Sequence, residues 1–114
     1  MTIFRLILAA WLIIITIYTV FVVAEHGINL FPAFFGDITA MSWAGQFNMD
    51  FMGFLFLSAT WVTWRHHFTP LGWVLAIPAF FGGIPFLTVY LLIVSRSPGC
   101  DMKTVLLGPQ RAAG

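Results

Sequence analysis

Leu71–Ser95 reads LGWVLAIPAFFGGIPFLTVYLLIVS, 25 residues without a charge, and stops at Arg96. As one uninterrupted helix it would be about 37 Å long, enough to cross the roughly 30 Å hydrocarbon layer of a bilayer. The stretch also carries its own breakers. Pro78 and Pro85 each remove an internal hydrogen bond, and the Gly82-Gly83 pair between them adds local freedom. This stretch therefore predicts a membrane helix that opens at Thr69-Pro70 and bends within residues 78–85. Bends of this kind are common in membrane helices, so packing is favoured over a transport role.

The rest of the chain agrees with a membrane setting. Of 114 residues, 61% are hydrophobic and 8% charged, and the mean hydropathy is +0.97. A soluble domain carries about 25% Asp, Glu, Lys and Arg, so an ordinary water-facing surface is excluded. Five Lys and Arg against four Asp and Glu give a net charge of +1, too weak a field for nucleic acid. The single Cys100 leaves no internal disulfide and no cysteine-rich metal site.

Two further helices are expected. Leu6–Ala24, LILAAWLIIITIYTVFVVA, is 19 uncharged residues, long enough to span and longer than the core of an export signal. It reads as a retained helix. Phe51–Trp64, FMGFLFLSATWVTW, is only 14 uncharged residues, short for an upright span unless extended back to Trp43 past Asn48 and Asp50. Arg65-His66-His67 ends it sharply. The link to the next helix, RHHFTP, favours an antiparallel hairpin. The first connection, with Phe31, Pro32, Phe34, Phe35 and Gly36, is too apolar for a free loop and suits a partly helical, interfacial segment. The expected fold is thus all-α: a small three-helix transmembrane bundle over residues 1–96, with helices about 4–26, 43–66 and 70–95. A polar, extramembrane C-terminal tail follows over 97–114.

Three crossings would put Arg5 and Arg65-His66-His67 on one side of the membrane. Glu25, His26, Asp37, Asp50, Arg96 and the tail would lie on the other. The positive-inside comparison then sets Arg5 and Arg65 against Arg96, Lys103 and Arg111, which barely decides an orientation.

The same arrangement would gather a polar group at one end. Acids in membrane segments are costly unless they pair, reach water or take up a proton, and Arg96 can donate several hydrogen bonds to Asp50 or Glu25. Glu25, Asp50, Arg96, Asn48 and Asp37 are therefore expected to form a structural polar network, with ion or proton handling as the sharper alternative. His26, His66 and His67 are candidate pigment or haem ligands. His26 and the His66/His67 pair fall at opposite ends, about 30 Å apart, so they cannot clamp one haem within a monomer. Ordinary interfacial histidines are the favoured reading, and no cofactor is expected. Glu25-His26 and His66-His67 lack the spacing of a hydrolytic metal motif, Ser58 and Ser95 lack a His/acid partner, and no catalytic residue or metal site is assigned.

Phe21-Val22-Val23-Ala24-Glu25-His26-Gly27-Ile28-Asn29-Leu30, Asn48-Met49-Asp50-Phe51 and Gly83-Ile84-Pro85-Phe86 through Leu91 and Arg96 carry a resemblance. In these residues the chain resembles a family of small bacterial three-helix membrane proteins defined by a domain of unknown function. The likeness covers residues 1–96 and departs at Thr88-Val89-Tyr90, where the family has a Leu-Pro pattern. It implies a bacterial inner-membrane location and the Glu/Asp/Arg group as polar signature, without a catalytic assignment. The functional expectation is a non-catalytic accessory or assembly subunit, in contact with lipid and with other membrane subunits. The alternative is a small transport, proton-handling or pigment-associated protein.

Overall fold

The computed structural model describes residues 1–114, which form six helices and no strand. They are α1 (Thr2–His26), α2 (Phe31–Thr39), α3 (Trp43–Arg65), α4 (Pro70–Val94), α5 (Met102–Leu107) and α6 (Pro109–Ala113). The molecule is elongated, 48 × 27 × 23 Å. By length and composition α1 is long and apolar enough to cross a membrane, and so would α4 be were it unbroken.

Local chemistry sets the boundaries. Gly27, at φ +82°, ends α1 where the chain must turn away. The Ser42 hydroxyl caps α3 by accepting from the Gly45 N–H at 3.2 Å. Pro70 opens α4, where a missing N–H costs nothing. The connection expected to be partly helical holds α2, which packs on the first turns of α3 and is tied there by Asn48 Nδ2 donating to the Phe34 carbonyl at 3.1 Å.

The decisive feature lies inside α4. Gly83 has φ +58° and ψ −138°, a combination essentially confined to glycine, and it interrupts the helix. The expected bend is a reversal. Gly72, at the start of α4, packs against Thr63 and His66 at the end of α3. Gly83 lies beside the Phe51 and Leu55 side chains, far back along α3. Tyr90 has returned to His66, its hydroxyl 2.7 Å from Nε2. In a straight helix residues 72 and 90 would be about 27 Å apart. Residues 70–82 thus run down α3 and residues 84–94 run back up beside it. The core records this, since Val62 of α3, Ala79 of the first half and Tyr90 of the second share one buried cluster, flanked by Leu75, Leu91 and Val94.

This reversal corrects the assignment of sides. Arg5 donates from its Nε to Ser95 Oγ at 3.2 Å, and its guanidinium also reaches the Ser95 carbonyl. The start of α1 and the end of α4 therefore meet at the Arg65 end. The tail is ordered there too. It forms α5 and α6, and Val105 is fully buried against the end of α3. All five basic side chains, Arg5, Arg65, Arg96, Lys103 and Arg111, sit at this end with Asp101 alone among the acids. Glu25, Asp37 and Asp50 lie toward the other end, where α2 joins α1 to α3.

Candidate functional site

Arg65 is the hub of the basic end. It is the last residue of α3, and its side chain is buried although no carboxylate meets it. Its Nε donates to the Val105 carbonyl at 2.7 Å, one terminal nitrogen donates to the Thr104 carbonyl at 3.3 Å, and the other donates to the Tyr90 hydroxyl at 3.1 Å. The Val105 carbonyl has no partner within its own helix, the Thr104 carbonyl is shared with the capping Gly108 N–H, and the helix dipole favours a cation there. A buried guanidinium is thus satisfied by dipoles rather than by a counter-charge.

His66 completes the set. It lies just beyond α3, and burial holds its imidazole below the ordinary pKa, helped by the positive charge of Arg65 and by His67. The ring is neutral at pH 7. With Arg65 donating to the Tyr90 oxygen, the Tyr90 proton is directed to His66 Nε2. Two further contacts clasp the tail. Trp61 Nε1 donates to the Leu106 carbonyl at 3.0 Å, and the Arg111 guanidinium lies 4.0 Å from the centre of the Trp64 ring while donating to the Trp64 carbonyl. At the start of α5, the Asp101 carboxylate accepts from the Thr104 N–H and hydroxyl, which hold its pKa below the usual range.

Beside this hub runs an apolar groove of about 610 Å³. Phe4 of α1 closes one side; Phe51, Ser58 and Trp61 of α3 line it, with Phe54 and Leu57 at its exposed edge. Ile84, Leu87 and Leu91 of α4 and Met102 and Leu106 of α5 complete it. Its volume lies in the range of small-molecule and cofactor sites. Ser58 Oγ is shielded from solvent yet has no hydrogen-bond partner.

The residues singled out from sequence do not converge. Glu25 and His26 are exposed at the end of α1, 3.9 Å from each other. Asp50 is exposed on α3 and lines a shallow depression with Ser42, Gln46 and Met49. Asn48 and the Asp37 backbone serve local ties, the latter through its carbonyl accepting from Ser42 Oγ at 3.3 Å. Arg96 follows Ser95 and so lies with Arg5 rather than with Glu25 or Asp50, because Gly83 turned the chain back. His26 and the His66/His67 pair do stand at opposite ends, and no three His, Cys, Asp or Glu side chains gather closely enough to hold a metal ion.

Sequence reading missed Arg65 and Tyr90 as partners. Arg65 was legible only as a helix boundary. The usable signal was the position of Gly82-Gly83, midway along a run that splits into two halves matching the 14-residue apolar stretch of α3. No protein-family model, curated protein or solved structure matches the chain, so the family resemblance rests on the quoted residues alone.

Proposed function

We propose that the chain is an integral membrane protein that acts as a non-catalytic accessory or assembly subunit, built to be covered by other membrane proteins as well as by lipid. The observation that carries this reading is the surface of α1. In a helix of 25 residues only Leu8 is buried, and packing is confined to one flank, against α4. The uncovered face includes Trp11, Ile14, Tyr18 and Phe21. An apolar face of this extent marks a contact with lipid or protein. The break at Gly83 adds to the case. It frees helix-end carbonyls and N–H groups well inside the apolar layer, where backbone of this kind is tolerated only against protein or a water-filled cavity.

In this reading α1 and α3 cross the membrane and α4 dips into it and returns. The basic end, with five cations and one acid, faces the cytoplasm by the positive-inside rule. The opposite end carries three acids and no Lys or Arg. The resemblance noted above would make the host the bacterial inner membrane. Arg65, His66 and Tyr90 then have a positioning role, since their polar groups are spent on holding the C-terminal segment.

The fold-back also supplies the footing for a second reading, because broken helices line ion and solute pathways in transporters. Extraction in mild detergent followed by native mass analysis separates the two. A reproducible heteromer supports the accessory role. A monomer that carries a pigment, or that moves protons when reconstituted in vesicles, overturns it.

A further inference from the structure

We propose that the apolar groove holds one acyl chain of an anionic phospholipid, with the phosphate seated among the cations at the groove's basic mouth. The proposal rests on the membrane reading above. The groove extends along α3 from Trp61 to Phe51, about 15 Å by helix rise. A single hydrocarbon chain is slender enough to enter a groove of this length. The outer lip is formed by Phe54 and Leu57, both largely exposed, so a chain can slide in from the surrounding lipid.

Charge selects the headgroup. At the mouth, Met102 of the lining is followed directly by Lys103, which is exposed and makes no hydrogen bond. Arg96 is likewise exposed and free, next to the Ser95 that Arg5 holds. Asp101 is the one acid nearby, and its carboxylate is engaged by Thr104. Each cation near a membrane surface strengthens attraction to anionic lipid.

The test uses the full chain, delipidated in non-ionic detergent and offered equimolar dioleoyl-phosphatidylglycerol and dioleoyl-phosphatidylcholine, with retained lipid read by native mass spectrometry. One phosphatidylglycerol per chain is expected in preference to phosphatidylcholine. Lys103→Gln with Arg96→Gln should weaken its retention roughly 30-fold. Leu57→Trp, which narrows the groove from its exposed lip and leaves the core alone, should abolish retention. Equal retention of the two lipids, or full retention by Leu57→Trp, overturns the proposal. So does self-cross-linking of Leu57→Cys in bilayers, which would give the groove to a second copy. A chain recovered in the aqueous fraction overturns the membrane reading and this proposal together, whereas any of the other contrary results overturns this proposal alone.

Discussion

The Tyr90 hydroxyl lies 2.7 Å from His66 Nε2. Had α4 run straight, Tyr90 would stand about 30 Å from the turn that begins the helix. This one contact reorders the molecule. It makes the third apolar stretch a hairpin with both ends at the basic end, brings the C-terminal segment to Arg65, and separates cations from acids along the long axis.

Gly83 should be the most sensitive single position. At φ +58° and ψ −138°, a side chain is strained, and a Cβ there would stand 3.0 Å from Phe51 Cζ. Gly83→Ala is expected to cost about 1–3 kcal/mol from backbone strain alone, and Gly83→Leu more because Phe51 must also move. Thermal unfolding in detergent, followed by size-exclusion chromatography, reads both. An unchanged midpoint for Gly83→Leu would mean that residues 82–84 do not reverse the chain.

Arg65 should control the tail. Replacing it with Met removes three hydrogen bonds from a charged donor and leaves the Val105 carbonyl unpaired, the Thr104 carbonyl keeping the Gly108 N–H, a loss of about 2–4 kcal/mol locally. Limited trypsin digestion should then cut rapidly after Lys103, with the membrane helices retained. Arg65→Lys should restore protection only in part, since an ammonium cannot serve three divergent acceptors in the planar geometry of a guanidinium. Equal protection of wild type and Arg65→Met would remove the hub.

The same clasp should loosen in acid. The folded-state pKa of His66 is depressed by burial and by the adjacent Arg65 and His67 charges, so the unfolded chain takes up a proton at higher pH than the folded one. The stabilisation is complete above the ordinary histidine value near pH 6.5 and is lost as pH falls from there through the folded value. Protonation also removes the acceptor for the Tyr90 hydroxyl. Tail cleavage by a protease active across this range should accelerate from pH 7.5 to pH 5 in the wild type and change less in His66→Gln. A flat profile in the wild type would contradict the neutral ring.

Much of the secondary structure was legible because it follows from local signals. The Leu6–Ala24 run, the Thr69-Pro70 entry, the breakers of residues 78–85 and the sharp end at Arg65 act within a few residues of themselves. What the sequence concealed was the angle at Gly83. A proline-glycine cluster announces a break, yet a 30° kink and a full reversal have the same composition. The error then propagated, since a third crossing carries Arg96 to the acids, and a reversal carries it to Arg5. The polar group of Glu25, Asp50 and Arg96 depended on that choice. Charge segregation was the overlooked cue, because only a reversal puts all five cations at one end. The contacts of the C-terminal segment were less accessible, as Val105 and Leu106 in a short, breaker-rich tail give no periodicity from which docking could be inferred.

Sidedness of labelling tests the reversal most directly. In a Cys100→Ser background, single cysteines replacing Met41, His67 and Lys103 are reacted with a membrane-impermeant maleimide on sealed, oriented vesicles. All three positions are exposed. The account predicts that His67→Cys and Lys103→Cys react from the same face and Met41→Cys from the opposite one. Reaction of His67→Cys and Lys103→Cys from opposite faces would show that α4 crosses the membrane and would contradict the fold-back at Gly83.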